Sequence, residues 1–292
     1  MANRLLKQGK SDRTCSTLTL ISVCCADDIS VWAVASYCLI SRIPAKSYVV
    51  IVPDQDVEQF LALSPAEYSV LPESLFVGGL KARIEARLPE YNRHRAGWYL
   101  QQFIKLAAVK HFGEYGDVLI WDADTVPLKR IRFFEKSGRV RLYYCKEHHR
   151  PYFLTLQRLL NLDKIFRYSF IAQCFYVQHN WISQFFQAIE DQHQLPWMDA
   201  ILQAINEREI SSFSEYETLG TFVMSRFPDE IVMCKAIWSR RGNLLLGDVS
   251  KIDTVFAHLV LFPFSFVSFE RWDRPMALKE RILLRIGRAL KW

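Results

Sequence analysis

The chain has 292 residues, half of them hydrophobic, and this length and composition are sufficient to bury a large core, which argues against a disordered protein. Its 37 basic and 31 acidic side chains leave a net charge of +6, which suits an anionic partner such as a nucleotide or a membrane surface without selecting one. The seven cysteines form no CxxC pair and indicate a reducing compartment rather than a disulfide framework.

The N-terminal dozen residues are polar and basic, so we expect no secretory signal peptide. The longest apolar tract runs from Val255 to Phe269, contains Pro263, and is shorter than the ~20 residues that a membrane-spanning helix needs. These features predict a cytoplasmic protein that does not span the membrane and that can lie peripherally at the inner face of the plasma membrane.

The first half of the sequence alternates strand-like and helix-like segments. Continuous apolar runs at 17–28, 46–56 and 117–126 read as buried strands, and the segments 28–40 and 97–112 read as helices. This alternation predicts an α/β fold with a mostly parallel central sheet covered by helices on both faces.

Each predicted strand ends in acidic residues, and ligands of such sheets gather at the carboxyl ends of the strands. A metal ion or basic side chains must therefore be present at this edge if an anion is to bind there. The acidic residues are Asp27, Asp28, Asp54, Asp56, Asp122 and Asp124.

The second half is less regular and predicts strands at 141–145 and 169–177 and helices at 180–192 and 214–227. We see no internal repeat and no Gly/Ser linker, which favours one domain over residues 1–272. Residues 273–292 are predicted to form a basic amphipathic helix. Such a helix can contact an anionic membrane surface or can dock on the domain.

The pair Asp122 and Asp124 directly follows the apolar run Val118 to Trp121. Two carboxylates at a strand end can hold Mg²⁺ or Mn²⁺, which takes its remaining oxygen ligands from water and substrate phosphates. A second interpretation is that Asp124 only caps a turn before Pro127.

The helix before this pair places Trp98, Gln101, Gln102 and Lys105 on one face, with apolar residues largely on the other. A polar stripe of this kind is ordinarily a solvated face. Two adjacent glutamines with a lysine and a tryptophan are less ordinary there, and they are candidates for ligand contact.

The segment Gly97 to Leu128 resembles a group of bacterial GT-A-type glycosyltransferases known as the domain of unknown function 6492, and the segment Ser212 to Val223 resembles the Ser-Glu-Tyr-Glu block of that group. The resemblance implies a GT-A fold and a metal-dependent glycosyltransferase. The cofactor would be Mn²⁺ or Mg²⁺, the donor a nucleotide-sugar, and the acceptor a surface polysaccharide or lipopolysaccharide-type glycan, free or lipid-linked. Nucleic acid is not among the expected partners.

The same resemblance suggests roles for individual residues. Asp122 and Asp124 would hold the metal and the donor diphosphate, and His258 would complete the metal site, although a core histidine is the alternative for His258. The further residues expected to contact the donor are Trp98, Gln101, Gln102, Lys105 and Asp54.

A carboxylate that serves the acceptor is expected in the segment Ser214 to Glu217. Ser214 and Glu217 fit a helix capping box, in which the serine caps the helix and the glutamate returns to the serine amide. Glu215 is not needed for the box and is therefore the first candidate for the catalytic base, with Glu217 as the second. Favourable charge at a helix N-terminus also explains Glu215.

Two other functions compete with the transferase. The run Ile120 to Val126 also matches the first motif of haloacid-dehalogenase-like phosphatases, with Asp122 as nucleophile, and Gly247-Asp248 with Asp253 resembles their last motif. Against this, about 117 residues precede the strand that leads to Asp122, whereas the nucleophilic strand usually lies near the start of such a domain. A non-catalytic module that binds nucleotide-sugars is the third hypothesis.

Overall fold

The computed structural model describes residues 17–274. Residues 1–16 lie outside this range, and so does the predicted C-terminal helix apart from its first two residues. Ten strands follow in chain order: β1 Thr19–Val23, β2 Ser47–Val52, β3 Tyr68–Pro72, β4 Val118–Trp121, β5 Thr125–Pro127, β6 Val140–Tyr143, β7 Cys174–Val177, β8 Ile231–Cys234, β9 Trp238–Ser239 and β10 Phe266–Ser268.

Eleven α-helices lie within the same described range. They are α1 Ile29–Arg42, α2 Val57–Leu63, α3 Ser74–Val77, α4 Leu80–Arg87, α5 Ala96–Gly113, α6 Arg150–Leu160, α7 His179–His193, α8 Trp197–Ala204, α9 Glu215–Arg226, α10 Gly242–Leu246 and α11 Val255–Leu261.

The central sheet has the strand order β3-β2-β1-β4-β7. Its first four strands are parallel, and β7 runs antiparallel to β4 at the edge. Strands β1 and β4 are buried along their whole length, because both of their faces are covered, as their continuous apolar runs indicate. This sheet, flanked by helices, confirms the predicted α/β fold class.

Two smaller sheets extend the molecule beyond the central one. Strands β5, β10 and β9 form a three-stranded sheet, and β6 pairs in parallel with β8. The short strand β5 starts only four residues after β4 ends, so the chain passes from the central sheet into the smaller one through Asp122 and Asp124. This turn places both aspartates at the carboxyl edge of the central sheet.

Helix α5 packs on β1 and β4 with one side and on α9 with another. Its polar stripe is therefore not a solvated face, since Gln102 and Lys105 are both buried. Burying a lysine without an anionic partner is costly, so the packing of α5 requires carboxylates beside Lys105.

No helix within residues 17–274 has the length and apolar character needed to cross a membrane. The apolar tract Val255 to Phe269 forms α11 and β10 instead, separated by a turn. Helix α11 contributes Ala257 and Leu261 to a small second core that also contains residues of α1 and β10.

Candidate functional site

A cleft of about 630 Å³ lies at the carboxyl ends of β1, β2 and β4. It is the place where a parallel sheet ordinarily binds its ligand. Its wall combines carboxylates, basic side chains and polar side chains from distant parts of the sequence, and among them are Asp28, Lys105, Asp122, Asp124, Glu215, Arg240, Glu270 and Arg271.

Lys105 stands at the floor of the cleft between two carboxylates. Its Nζ donates hydrogen bonds to Asp122 Oδ1 at 2.5 Å and to Glu215 Oε1 at 2.8 Å. Burial alone would lower the pKa of Lys105, but the two carboxylates outweigh burial and raise this pKa above its ordinary value. Lys105 is therefore a permanent cation, and it holds α5, β4 and α9 together at the site.

Tyr216 completes this group from the first turn of α9. Its hydroxyl donates to the same Asp122 Oδ1 at 2.7 Å, and the Lys105 ammonium lies 4.6 Å from the centre of its ring. Two donors on one oxygen fix the direction of the Asp122 carboxylate before any ligand arrives.

The predicted glutamines have different positions in the site. Gln102 accepts a hydrogen bond from the backbone N–H of Glu215 at 3.0 Å through its Oε1, so it positions the start of α9. Gln101 and Trp98 line the cleft directly, and the Arg95 guanidinium lies 4.4 Å from the centre of the Trp98 indole.

Asp124 is the least compensated carboxylate of the cleft. Its pKa is raised well above the ordinary value by burial first, and then by the negative charges of Glu270, Asp122 and Asp28. The Thr125 hydroxyl donates to its Oδ1 at 3.1 Å. A divalent cation would reduce the repulsion between this half-buried carboxylate and the carboxylates that it faces.

Asp124 and its neighbours therefore fit a divalent cation, but they do not form a complete protein cage. Within residues 17–274 no three His, Cys, Asp or Glu side chains stand together as a preformed metal site. A cation here would take its remaining ligands from water and from substrate, as Mg²⁺ commonly does at phosphate-binding sites.

Gln173 ties three strand ends together behind Asp122. Its backbone oxygen accepts from the Asp122 N–H at 2.9 Å, and its side-chain Nε2 donates to Glu270 at 2.7 Å and to Ser268 at 3.1 Å. Its φ of 64° lies in the left-handed region, which is costly for a residue with a side chain. Such strain persists where the surrounding contacts compensate it, and it commonly marks functional sites.

Arg240 bridges two carboxylates at the side of the cleft. Its guanidinium donates to Glu270 at 2.6 Å and to Glu147 at 2.9 Å. Arg271 pairs with Asp28 at 2.9 Å and with Asp27 at 2.8 Å. Basic residues thus accompany the acidic strand ends, as the sequence required.

Three of the predicted site residues do not line the cleft. Asp54 accepts hydrogen bonds from the backbone N–H and the hydroxyl of Ser74, at 3.2 and 2.5 Å, because the chain turns at the end of β2 and directs this carboxylate toward α3. Its role here is to fix the loop, although Pro53 and Gln55 on either side do line the cleft.

Glu217 is buried one turn away from the cleft, and its carboxylate accepts from the Phe170 N–H at 3.2 Å and from Lys164 at 3.4 Å. Half of the predicted capping box is present, because the Ser214 hydroxyl accepts from the Glu217 N–H at 3.3 Å. The expected return of the Glu217 carboxylate to Ser214 is replaced by its contact with Phe170.

His258 is exposed on α11 and is not among the residues of the cleft wall. Both interpretations of this histidine, as a metal ligand beside Asp124 or as a core residue, disagree with that position. The helix buries Ala257 and Leu261 instead, and His258 faces solvent beside them.

Sequence reasoning missed Gln173, Tyr216, Arg240 and Glu270. A glutamine inside the apolar run Ser169 to Val177 was a visible signal, because a polar residue in a buried strand requires partners. For Glu270 and Arg240 the sequence carries no local signal, since their positions depend on how β9 and β10 pack beside β5.

The profile of the family of unknown function DUF6492 matches residues 39–241, well over half of the chain. No curated protein matches the sequence. Among solved structures, the chain is similar to the galactosyltransferase LgtC in complex with donor and acceptor sugar analogs, with a TM-score of 0.43 and 12% identity over 86% of each chain. An active-site mutant of LgtC aligns with a TM-score of 0.42 and 13% identity over 92% of this chain and 95% of the other.

The apo structure of the bifunctional glycosyltransferase WbbM aligns with a TM-score of 0.41 and 13% identity, over 87% of this chain and 46% of the WbbM chain. The family profile covers β2 to β9, and so includes Lys105, Asp122, Asp124 and Glu215. The protein belongs to the family of unknown function DUF6492.

Proposed function

We propose that the protein is a GT-A-type glycosyltransferase that binds a nucleotide-sugar donor in the cleft with Mn²⁺ or Mg²⁺ and transfers its sugar to a glycan acceptor. The observation that carries this proposal is the position of Asp124, a half-buried carboxylate that faces Glu270, Asp122 and Asp28 in an open cleft. A divalent cation bound among these carboxylates would compensate their negative charge.

Asp122 and Asp124 are the proposed metal-binding residues, as the sequence suggested, and Glu270 takes the place expected for His258. The bound cation would offset the charge of the donor diphosphate and of the leaving nucleotide. Lys105 already forms ion pairs with Asp122 and Glu215, so its proposed contribution is to neutralise and orient these two carboxylates. Gln101 and Trp98 would contact the donor from the wall of the cleft.

Glu215 is the proposed carboxylate for the acceptor, since it lines the cleft and is held in place by Gln102 and Lys105. Its Oε1 accepts from Lys105, which leaves Oε2 as the oxygen to meet an acceptor hydroxyl. A proton-accepting carboxylate in this position contributes typically ~10²- to 10⁴-fold to a transfer rate. The acceptor class, a surface polysaccharide or lipopolysaccharide-type glycan, is part of the same proposal and rests on the family resemblance.

We also propose that the protein contacts an anionic membrane surface. Helix α11 exposes Val255, Phe256, Leu259 and the adjoining Phe262 by 60 to 78%. The Lys129 ammonium lies 5.1 Å from the Phe262 ring, and the segment 273–292, with six basic and two acidic residues, follows soon after in the sequence. Exposed apolar side chains flanked by cations suit the interface of an anionic bilayer.

The phosphatase hypothesis has less support. Asp248, which would belong to its last metal-binding motif, accepts a hydrogen bond from the Ser250 N–H at 2.8 Å and caps a short helical turn. Neither Asp248 nor Asp253 belongs to the cleft that contains Asp122. Asp122 would therefore lack the two carboxylates of the proposed last motif, Asp248 and Asp253.

A thermal-shift panel of nucleoside diphosphates and nucleotide-sugars, with and without Mn²⁺, tests the proposed function. At a ligand concentration about 100-fold above Kd, binding stabilises the folded state by ~2.7 kcal/mol. We expect metal-dependent stabilisation by one nucleotide, lost in Asp124→Asn and retained in the control Asp248→Asn. Hydrolysis of a phosphate ester that requires Asp122, without nucleotide binding, would establish the phosphatase instead. Donor binding without sugar transfer or hydrolysis would support the hypothesis of a non-catalytic module that binds nucleotide-sugars.

A further inference from the structure

A second cavity, of about 450 Å³, adjoins the cleft, and Glu147 and Arg240 belong to the walls of both. The remaining side chains around it include Tyr144, Tyr168 and Trp238. The two cavities therefore share the Glu147–Arg240 ion pair, whereas Asp124 lines only the cleft and the three aromatic rings line only the second cavity.

The aromatic wall is held in place by backbone contacts. Cys145 pairs with Ser169 in an antiparallel bridge, with N–O distances of 2.9 and 3.0 Å, and in this register Tyr144 and Tyr168 are diagonal neighbours. Their rings stack with centres 4.7 Å apart and planes 19° apart. Two loops separated by more than 20 residues thus form one rigid wall.

Trp238 forms the other side of the cavity. One face of its indole stacks on the buried Phe266, with centres 5.3 Å apart, and the ring is still partly exposed. Trp238 lies in β9, Arg240 follows in the bend after this strand, and both residues line the cavity. Strand β9 and the bend after it thus contribute an aromatic ring to the cavity and a guanidinium to its junction with the cleft.

The charge of the cavity selects the kind of ligand. Its wall carries the cations Lys146, Lys235 and Arg240 against the single carboxylate Glu147, which Arg240 already neutralises. The two lysines are exposed and can reach a ligand's charge. A sugar ring presents C–H groups on one face, and these pack on the negative face of an indole. A cationic cavity with an aromatic platform thus suits a sugar that carries a carboxylate or a phosphate.

We propose that this cavity is the acceptor subsite and that it binds an anionic glycan, with a sugar ring on Trp238 and its negative charge at Lys146 and Lys235. This inference rests on the proposed glycosyltransferase function, because an acceptor must meet the donor at a shared boundary. The Glu147–Arg240 pair is such a boundary between the two cavities.

Calorimetric titration of the full-length protein, with a nucleoside diphosphate and Mn²⁺ present, tests the inference. The probes are a tetrasaccharide of galacturonic acid, glucose 1-phosphate and a neutral tetrasaccharide of glucose. We expect one or both anionic probes to bind more tightly than the neutral one, and Lys235→Gln to weaken this binding roughly tenfold, which corresponds to about 1.4 kcal/mol. The control Lys136→Gln, at an exposed position in a distant turn, keeps the wild-type affinity.

The two anionic probes distinguish the source of the charge, a carboxylate or a phosphate. Trp238→Ala is expected to weaken the binding of all glycans. If Trp238→Ala does not fold, Lys235→Gln still tests the inference. Equal affinity for neutral and anionic probes, unchanged affinity in Lys235→Gln, or absence of glycan binding by a wild-type protein that binds nucleotide would each overturn the inference. A wild-type protein that binds no nucleotide would instead contradict the proposed function.

Discussion

Lys105 and Asp122 form a buried ion pair, with 2.5 Å between Nζ and Oδ1 and with side chains only 5% and 15% exposed. Lys105 also pairs with the equally buried Glu215. Within this site one cation therefore compensates two carboxylates that come from β4 and α9. The pair serves both the stability of the fold and the orientation of the proposed metal-binding residue.

Replacing Lys105 by methionine should be strongly destabilising. Removing one partner of a buried ion pair typically costs 3–5 kcal/mol, because an uncompensated charge remains buried. A matched control is Lys110→Met on the same helix, since Lys110 pairs with Glu190 at 3.3 Å while 43% exposed, and such surface pairs contribute ~0–1 kcal/mol. Urea unfolding measures both. A similar loss in the two variants would mean that Lys105 is not held as the structure shows.

The raised pKa of Asp124 predicts a pH dependence of stability. The folded state retains a proton on Asp124 above the ordinary pKa of 3.8, where the unfolded chain has lost it. Stability should therefore fall as pH rises from about that value to the folded pKa, since the unfolded state then binds fewer protons. Without metal, Asp124→Asn should gain stability relative to the wild type over this interval, and a pH series of denaturant titrations measures the difference.

Metal binding should reverse this dependence, because a cation binds the deprotonated carboxylate. We expect the affinity for Mn²⁺ to increase with pH across the same interval, with release of a proton. Calorimetry in buffers of different ionisation enthalpy detects that proton. Manganese affinity that is independent of pH would place the cation away from Asp124.

Gln173→Ala should weaken donor binding in addition to lowering the stability of the fold. The variant loses two hydrogen bonds to Ser268 and Glu270, at a cost of about 1–3 kcal/mol, and so removes one of the contacts that orient the Glu270 carboxylate. Gln194→Ala is the control, since Gln194 has a similar φ of 52° but lies exposed at the end of α7. Thermal shifts with nucleotide and Mn²⁺ compare the two. Wild-type nucleotide affinity in Gln173→Ala would exclude a role for this residue in positioning the site.

The exposed face of α11 predicts membrane binding. The triple variant Phe256→Ser, Leu259→Ser and Phe262→Ser should co-sediment with anionic vesicles at least tenfold less than the wild type, since burying each such side chain contributes about 1.5–3 kcal/mol. Leu75→Ser, which alters a leucine on α3 that is 68% exposed, is the control. A chain ending at Trp272 separates the contribution of the C-terminal segment. Unchanged vesicle binding by the triple variant would show that α11 does not contact the membrane.

Local sequence patterns predicted much of the scaffold. The apolar runs of β1, β2 and β4 correctly indicated buried parallel strands, because a strand covered on both faces needs apolar residues on both. The start of α9 was visible in Ser214, since a serine that caps a helix has a local signature. Of the acidic strand ends, Asp28, Asp122 and Asp124 line the cleft, while Asp54 instead holds the loop to α3.

The sequence by itself therefore determined the α/β architecture, the carboxyl edge that carries the cleft, and the membership of Lys105, Asp122 and Asp124 in it, because these depend on periodicity and on motifs within short segments. Tertiary structure alone decided that Glu270, Arg240 and Gln173 join them, and that Glu217 and His258 do not line the cleft. Side chains more than 100 residues apart in the chain meet only through the packing of β10 on β5 and of α9 on α5, and the direction of a single side chain changes with one residue of register.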